Sequence, residues 1–212
     1  MNIAKASLSG MLLKSSELLI QESDYLSQID TRFGDGDHGV TMKKIASLIQ
    51  TSVKQWGNES IKQFIDELGT AVMAIGGGSA GPLWGTLICG LVLPISDDAT
   101  DIDAGLLKSM LHSALKEMQS ITTARVGDKT MMDTLIPAVM AAEAADDNIL
   151  AILEASAAAA RQGAKATENF ISKYGRARLY KEQTIGTPDA GAISTMVFFE
   201  GLALGAKASL LL

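Results

Sequence analysis

The stretch Leu8–Leu19, with the sequence LSGMLLKSSELL, decides the fold class of this chain. Its apolar side chains recur at steps of three, four and seven residues, at Leu8, Met11, Leu12, Leu18 and Leu19. Residues at these spacings share one face of a helix, so the pattern is typical of an amphipathic helix. We therefore predict a first helix over residues 3–20.

Similar periodicity elsewhere in the chain predicts further helices, and we place them at residues 38–55, 60–75, 82–94, 102–119, 129–144, 147–173 and 190–207. No strand-length run of β-branched residues alternates with polar ones between turn signals. Short connections favour antiparallel neighbours. No repeat, linker or composition break divides the chain, so we predict an all-α fold, an antiparallel eight-helix bundle with a single domain over residues 1–212.

Composition narrows the possible functions. The formal net charge is −6 and the basic residues are scattered, so we expect no nucleic-acid partner. The single cysteine, Cys89, excludes an internal disulfide, and the N-terminus lacks the apolar core of a signal peptide. The most apolar run, residues 190–204, is interrupted by Glu200 and by glycines, which favours a core helix over a membrane span. We expect a cytoplasmic protein.

The segment DTRFGDGDH, residues 30–38, carries three carboxylates, Asp30, Asp35 and Asp37, among glycines that permit tight turns. Two ionised carboxylates about 5 Å apart repel by roughly 3 kcal/mol at an effective dielectric near 20. Arg32 alone cannot offset that repulsion, whereas a divalent cation can. Oxygen ligands suit Mg²⁺ or Ca²⁺, and the spacing that follows does not fit an EF-hand loop.

We therefore expect Mg²⁺ bound together with phosphate groups, because Mg²⁺ keeps few protein carboxylates and completes its coordination with water and substrate phosphates. The alternative is that the three aspartates only cap a helix and occupy a solvated turn.

The glycine-rich turn Gly76–Pro82 formally matches the dinucleotide-binding pattern G-x-G-x-x-G and has the outer glycines of a P-loop, but it fits neither in context. It follows a helical segment, which argues against a dinucleotide-binding strand, and Pro82 and Leu83 replace the lysine and hydroxyl residue of a P-loop. Its backbone N–H groups lead into a helix, so an anion or a flat ligand fits there. The alternative is a close helix crossing eased by glycine.

Three later segments could complete such a site, although each has a simpler explanation. In residues 127–131, Asp128 is either a ligand contact or a helix cap. In residues 175–178, two arginines offer bidentate contacts to phosphate or are ordinary helix-terminal charges. In residues 187–191, Asp189 is a cap or a group beside phosphate or ribose.

Taken together, these motifs resemble the ADP-binding L subunits of dihydroxyacetone kinases. The resemblance rests on Asp30, GDGDHG at 34–39, GGGSAGPLWGT at 76–86, GDKTMMDTLIP at 127–137, GRARLY at 175–180 and PDAGA at 188–192. It implies an eight-helix antiparallel barrel with an apolar interior and with ADP or ATP bound at one end.

The resemblance also implies site residues in this chain. Asp30, Asp35 and Asp37 would hold two Mg²⁺ ions, and Arg176 would be catalytic by stabilising the transferring phosphate. The residues at the nucleotide would be His38, Gly39, Thr41, Gly78, Ser79, Ala80, Thr122, Met131, Arg176, Asp189, Ala190 and Gly191.

Partners follow from the same resemblance. A separate K subunit would bind dihydroxyacetone covalently through a histidine, and a phosphohistidine M-type subunit of the phosphotransferase system would rephosphorylate ADP in place. ATP-dependent relatives fuse the L and K parts, so a free 212-residue chain favours the first type. A homodimer is compatible with this assignment.

The chain departs from the family pattern at Thr41, Thr187 and 178–181, where the family often has Asn, His and Ser-Tyr-Leu-Gly. The departures leave open a regulatory module for a transcription factor or partner kinase, or a subunit for a related small ketose. A two-metal phosphatase is disfavoured, because further carboxylate or histidine ligands are lacking.

Overall fold

Most residues of the chain are helical in the computed structural model, which describes residues 2–210. The α-helices are α1 (Lys5–Gln21), α2 (Ser23–Thr31), α3 (His38–Gln55), α4 (Ile61–Met73), α5 (Ala80–Val92), α6 (Ala104–Ile121), α7 (Met132–Ala144), α8 (Ile149–Ala166) and α9 (Ala190–Leu210). Two 3₁₀ segments, Thr167–Asn169 and Ala177–Thr184, lie between α8 and α9. Strands β1 (Ile3–Ala4) and β2 (Asp101–Ile102) form one short antiparallel pair. The predicted all-α class is confirmed.

Eight of the helices close into a ring. Going round it, α1 packs against α3, each of α3 to α8 against the next helix in sequence, and α9 against α1. Helix α2 lies outside the ring order and packs on α3 and α9. The ring is the barrel that the resemblance implied.

The α1–α9 pair shows how two ring helices run in opposite directions at close range. The Ser15 hydroxyl of α1 donates to the Phe198 carbonyl of α9 at 2.9 Å. Further along, a Cβ built on Gly205 would lie 2.5 Å from the Cα of Met11, and one on Gly201 would overlap the backbone of Ser15. Glycine on α9 therefore lets the two backbones approach closely.

The inside of the ring is apolar. Leucine, isoleucine, methionine and phenylalanine side chains from most of the ring helices surround a cavity of about 60 Å³. The periodic residues of the first helix follow this division, since Leu8, Met11 and Leu12 line the cavity. Over residues 2–210, no helix combines the length and the apolar character that crossing a membrane requires.

The sequence predictions missed one helix and misplaced several helix ends. The chain resumes as α2 just after the predicted end of the first helix, but this nine-residue helix buries only Ser23, Leu26 and Ile29, too few for periodicity to show. The helix predicted over 147–173 ends at Ala166. The helix predicted from residue 102 begins at Ala104, because Ile102 pairs with Ile3 across β1 and β2.

Candidate functional site

Four loops meet at one end of the ring and enclose a cleft of about 360 Å³. They precede α3, α5, α7 and α9, and the residues at the starts of these helices, His38, Ala80, Met131 and Ala190, line the cleft. A helix N-terminus carries partial positive charge and free N–H groups. Four of them around one cleft favour a ligand with several negative charges.

The three predicted carboxylates come together at this cleft. Asp30 lies in the last turn of α2, whereas Asp35 and Asp37 lie in the loop before α3, and one oxygen of each is within 4.8 Å of the others. Gly34 leaves no space for a Cβ beside the Asp30 carboxylate, and Gly36 has a φ of +75°. The loop folds back on α2 only with glycine at these positions.

Mutual repulsion is visible in the electrostatics of this cluster. The pKa of Asp37 is raised, first by burial and then by the neighbouring charges of Asp35 and Asp30. A divalent cation at the cluster would reverse this effect. The donor set consists of carboxylate oxygens, so the residues present fit Mg²⁺.

Arg176 supplies the cation that faces the cluster. Its Nη1 lies 2.7 Å from Oδ2 of Asp35, and both side chains are largely exposed. Arg32 instead lies near the ring of Phe33, with its guanidinium carbon 5.9 Å from the ring centroid. The guanidinium from the α8–α9 loop, and not the one inside the acidic segment, offsets part of the negative charge.

His38 begins α3 behind the carboxylates. Its Nε2 lies 3.0 Å from the Ser194 hydroxyl of α9, and its backbone N–H points at Asp30 Oδ2 at 3.4 Å. Burial lowers the pKa of His38, although Asp30 acts in the opposite direction. We therefore expect a neutral imidazole at pH 7.

The glycine-rich turn and the helix that follows it show both features that the sequence left open. Gly77 and Gly78 have positive φ values of 139° and 56° and line the cleft with Ser79. Thr41 is buried beneath Gly77, where a Cβ would overlap the threonine hydroxyl. Gly85, in the second turn of α5, allows the close crossing of α5 with α4 at Met73.

The segment Gly127–Lys129, called the GDK segment below, is fixed by the next helix. Both carboxylate oxygens of Asp133 accept backbone N–H bonds, from Gly127 at 2.6 Å and from Thr130 at 2.7 Å. Asp128 does not cap α7, because its Oδ2 accepts from the backbone N–H of Arg125 at 3.0 Å.

Asp189 ends the α8–α9 loop and caps α9, since its Oδ2 accepts from the backbone N–H of Ala192 at 2.8 Å. Burial raises the pKa of Asp189 to about 7; the Ala192 N–H acts against that rise and Asp133 adds to it. Of the two roles that the sequence left open for Asp189, the structure shows the cap.

Most of the predicted site residues line this one cleft: Asp30, Asp35, Asp37, His38, Gly78, Ser79, Ala80, Met131, Arg176, Asp189, Ala190 and Gly191. Gly39 and Thr41 lie outside its lining, and Gly39 packs on the backbone of Ser23. Thr122 also lies outside, and its hydroxyl accepts from the backbone N–H of Ala124 at 3.1 Å.

Sequence reasoning missed several lining residues. Phe33, Trp84 and Tyr174 give the cleft aromatic surface, and Lys129 and Thr130 contribute polar groups. Each lies within or beside a motif already singled out, but neither spacing nor composition reveals which side chains turn inward. The aromatic residues suit a flat ring such as a nucleobase.

A family model of known proteins matches the part of the chain that contains these motifs. The DAK2 domain matches residues 32–204. The chain belongs to the DAK2-domain family. Its match includes every segment that lines the cleft apart from the end of α2.

Full-length and partial relatives both occur. The chain is 28% identical to the ADP-binding subunit DhaL of the PEP-dependent dihydroxyacetone kinase of Escherichia coli, covering 98% of this chain and 100% of that subunit. It is 33% identical to the D-erythrulose kinase of Mycolicibacterium smegmatis, covering 84% of this chain but 32% of that enzyme.

A solved structure shares the architecture. The dihydroxyacetone kinase of C. freundii in its native form matches with a TM-score of 0.74 at 25% identity, covering 94% of this chain and 34% of that one. The complex of that kinase with AMP-PNP and Mg²⁺ matches with a TM-score of 0.73 at 24% identity, covering 96% and 34%. This chain thus spans about a third of the larger kinases that it resembles.

Proposed function

We propose that this DAK2-domain chain is the nucleotide-binding subunit of a dihydroxyacetone kinase, acting in the cytoplasm as one domain over residues 1–212. It binds ADP or ATP with two Mg²⁺ ions in the cleft. The observation that carries the proposal is the cluster of three carboxylates within 4.8 Å of one another, facing the start of four helices. The full-length likeness to an ADP-binding subunit supports it.

Each part of the cleft has a role in this proposal. Asp30, Asp35 and Asp37 hold the metal, and the helix N-termini and the turn at Gly78 and Ser79 bind phosphate oxygens. When bound, Mg²⁺ offsets the charge that develops on the β and γ phosphates. The neutral imidazole of His38 orients the nucleotide at the base of α3.

Arg176 acts on the transferring phosphate. Its pairing with Asp35 keeps the guanidinium at the carboxylate cluster. The planar guanidinium can donate two parallel hydrogen bonds to a phosphate, which is therefore an alternative partner. Stabilisation that strengthens in the transition state raises the rate of transfer, so Arg176 is the catalytic residue of this chain.

The remaining components lie on other chains. A K subunit binds dihydroxyacetone, and a phosphohistidine subunit of the phosphotransferase system rephosphorylates ADP in place. The erythrulose kinase relative supports a related small ketose as the alternative substrate. Comparing dihydroxyacetone with erythrulose in one reconstituted assay decides between the two.

Reconstitution tests the proposal. The chain is mixed with a K subunit, a phosphohistidine donor and dihydroxyacetone, and formation of the sugar phosphate is followed. We expect turnover with the wild type and a loss of about 100-fold or more with Asp37→Asn, because a metal ligand is removed. The control Asp98→Asn changes an exposed aspartate and should match the wild type.

A second candidate is a nucleotide-loaded regulatory module that docks onto a transcription factor or partner kinase. It is favoured by the exposure of Leu179 and Tyr180, 75% and 43%, in the segment that departs from the family pattern. Nucleotide binding without any product in the reconstituted assay would support this module and contradict the kinase role.

A further inference from the structure

The site end of the barrel contains a buried cation that the proposed chemistry does not use. Lys129 is 4% exposed and has a φ of 60°, a conformation uncommon outside glycine. Its ammonium lies against four backbone carbonyl oxygens: 2.7 Å from Thr167, 3.1 Å from Phe170, 2.7 Å from Thr184 and 2.5 Å from Thr187. Buried carbonyls that converge in this way need a donor at their centre, and the ammonium of Lys129 supplies it.

The four carbonyls belong to the two ends of one segment. The 167–189 loop connects α8 to α9; Thr167 and Phe170 lie at its start, and Thr184 and Thr187 lie near its end. We call these two ends of the loop its neck. Two further hydrogen bonds join them: Gly186 N–H donates to the Glu168 carbonyl at 2.7 Å, and Asp189 N–H donates to the Thr167 hydroxyl at 3.0 Å. The ammonium and these two bonds together hold the ends of a loop that extends to Arg176.

A second set of hydrogen bonds joins the GDK segment to the middle of the 167–189 loop. Lys173 donates from its backbone N–H to the Asp128 carbonyl at 3.1 Å and from its Nζ to the Asp128 carboxylate at 2.6 Å. Asp128 is 4% exposed, and Lys173 precedes Arg176 by three residues. The GDK segment thus contacts the loop at its neck and again just before the arginine.

We propose that Lys129 is a positioning residue: by clasping the neck of the 167–189 loop, it sets where the Arg176 guanidinium meets the phosphates. This role rests on the proposed function. Replacing the ammonium with an apolar group of similar length removes this donor from the carbonyls of Phe170, Thr184 and Thr187. The Thr167 carbonyl still accepts from the Phe170 N–H, so the neck loosens at the other three carbonyls. A small displacement of a catalytic group then costs rate while leaving the barrel folded.

The test compares Lys129→Met with Lys116→Met, which removes an exposed lysine of α6, in the full-length protein. Hydrogen exchange should rise in residues 167–189 of the first variant and nowhere in the second. In the reconstituted kinase we expect Lys129→Met to slow transfer about 100-fold. The control should keep the wild-type rate. Exchange and rate like those of the wild type in Lys129→Met would overturn the proposal.

A double-mutant cycle separates positioning from general weakening. If Lys129 acts through Arg176, adding Lys129→Met to Arg176→Ala should cost less than about threefold beyond Arg176→Ala alone, because the two effects are not additive. Additive losses would mean that Lys129 only supports the fold, and would overturn the proposal.

Two further outcomes are distinguished. If Lys129→Met does not fold, Lys129→Gln, which keeps a shorter polar side chain at the same position, replaces it, and the same cycle with Arg176→Ala applies. If the wild type does not bind MgADP in calorimetry, the proposed function fails and the positioning role fails with it. If the wild type binds and turns over normally and Lys129→Met does too, only the positioning role fails.

Discussion

Backbone strain at a single residue stands out beside the cleft. Lys181 has φ 49° and ψ −126°, a region that side chains avoid, and it interrupts the 3₁₀ segment Ala177–Thr184. The resemblance described above implies glycine here in many relatives, and glycine adopts this conformation freely. The departure at this position therefore places a lysine where the backbone favours glycine.

Lys181→Gly should relieve that strain. We expect the free energy of unfolding to rise by about 1 kcal/mol, equivalent to an increase of about 2–4 °C in Tm for a chain of this size. Lys181→Ala is the matched control, since it removes the same charge but keeps a Cβ. Equal stability of the two variants would show that charge, and not backbone strain, is what matters there.

Asp189 links stability to pH. Its pKa is about 7 in the folded chain and near 3.8 when the side chain is unconstrained, so between these values the folded state keeps a proton that the unfolded state has lost. The contribution of Asp189 to stability is therefore fully present below pH 4 and falls as the pH rises to about 7. Asp189→Asn keeps an oxygen for the α9 cap and removes the titration.

Denaturant titrations at pH values from about 4.5 to about 8 check this sign. The stability of the wild type relative to Asp189→Asn should decline across this range and level off above about pH 7. Asp97→Asn serves as a control, because Lys62 lowers the pKa of Asp97 and its titration lies below the range. Parallel curves for the wild type and Asp189→Asn would contradict the prediction.

At the scale of elements, glycines set the distances between helices. A Cβ on Gly201 of α9 would overlap the Ser15 backbone of α1, whereas one on Gly105 at the start of α6 would meet nothing nearer than Asp103 Oδ1 at 3.5 Å. The first glycine is required by packing, and the second is not.

Gly201→Ala should therefore lower the free energy of unfolding by about 1–3 kcal/mol, because the two backbones must separate. Gly105→Ala should be neutral or stabilising by up to about 1 kcal/mol, since alanine favours the helix. Thermal denaturation followed by circular dichroism measures both. A Gly201→Ala variant as stable as the wild type would show that α1 and α9 are not held this closely.

The helices also show what sequence can and cannot predict. Long amphipathic segments such as α1 and α3 follow from periodicity, because each buries a full face. Helix α2 was not predicted, because it buries only a few side chains. Helix α8 was predicted too long, because its end depends on groups that are distant in the sequence. Lys129, which is 38 residues before Thr167 in the sequence, donates to the carbonyls of Thr167 and Phe170 just after the end of α8.

Some features of the candidate site could be predicted from the sequence, and others could not. The carboxylates and the glycine turn were found from sequence because charge repulsion and backbone conformation are local properties. The clasp at Lys129 was not found, because its four carbonyl partners lie 38 to 58 residues away and carry no sequence signal. Side-chain direction likewise decided that Tyr174 and Trp84 line the cleft while Thr41 and Thr122 do not.

At the scale of the whole molecule, the ring separates two environments. Its interior is apolar, and its polar chemistry is concentrated at the end where α3, α5, α7 and α9 begin. A chain with net charge −6 nevertheless presents four positive helix ends and Arg176 to one cleft. In the proposed function, that arrangement lets an acidic protein bind an anionic nucleotide, with Mg²⁺ joining the carboxylates to the phosphates.

Native mass spectrometry of the purified chain tests this account most directly. With MgADP present, we predict a single dominant species whose mass exceeds that of the chain by one ADP and two Mg²⁺ ions. Removal of Mg²⁺ by a chelator should return the mass to that of the chain alone, because the carboxylates cannot hold the phosphates without the metal. A mass that never changes on adding MgADP, or ADP bound equally well without Mg²⁺, would contradict the account.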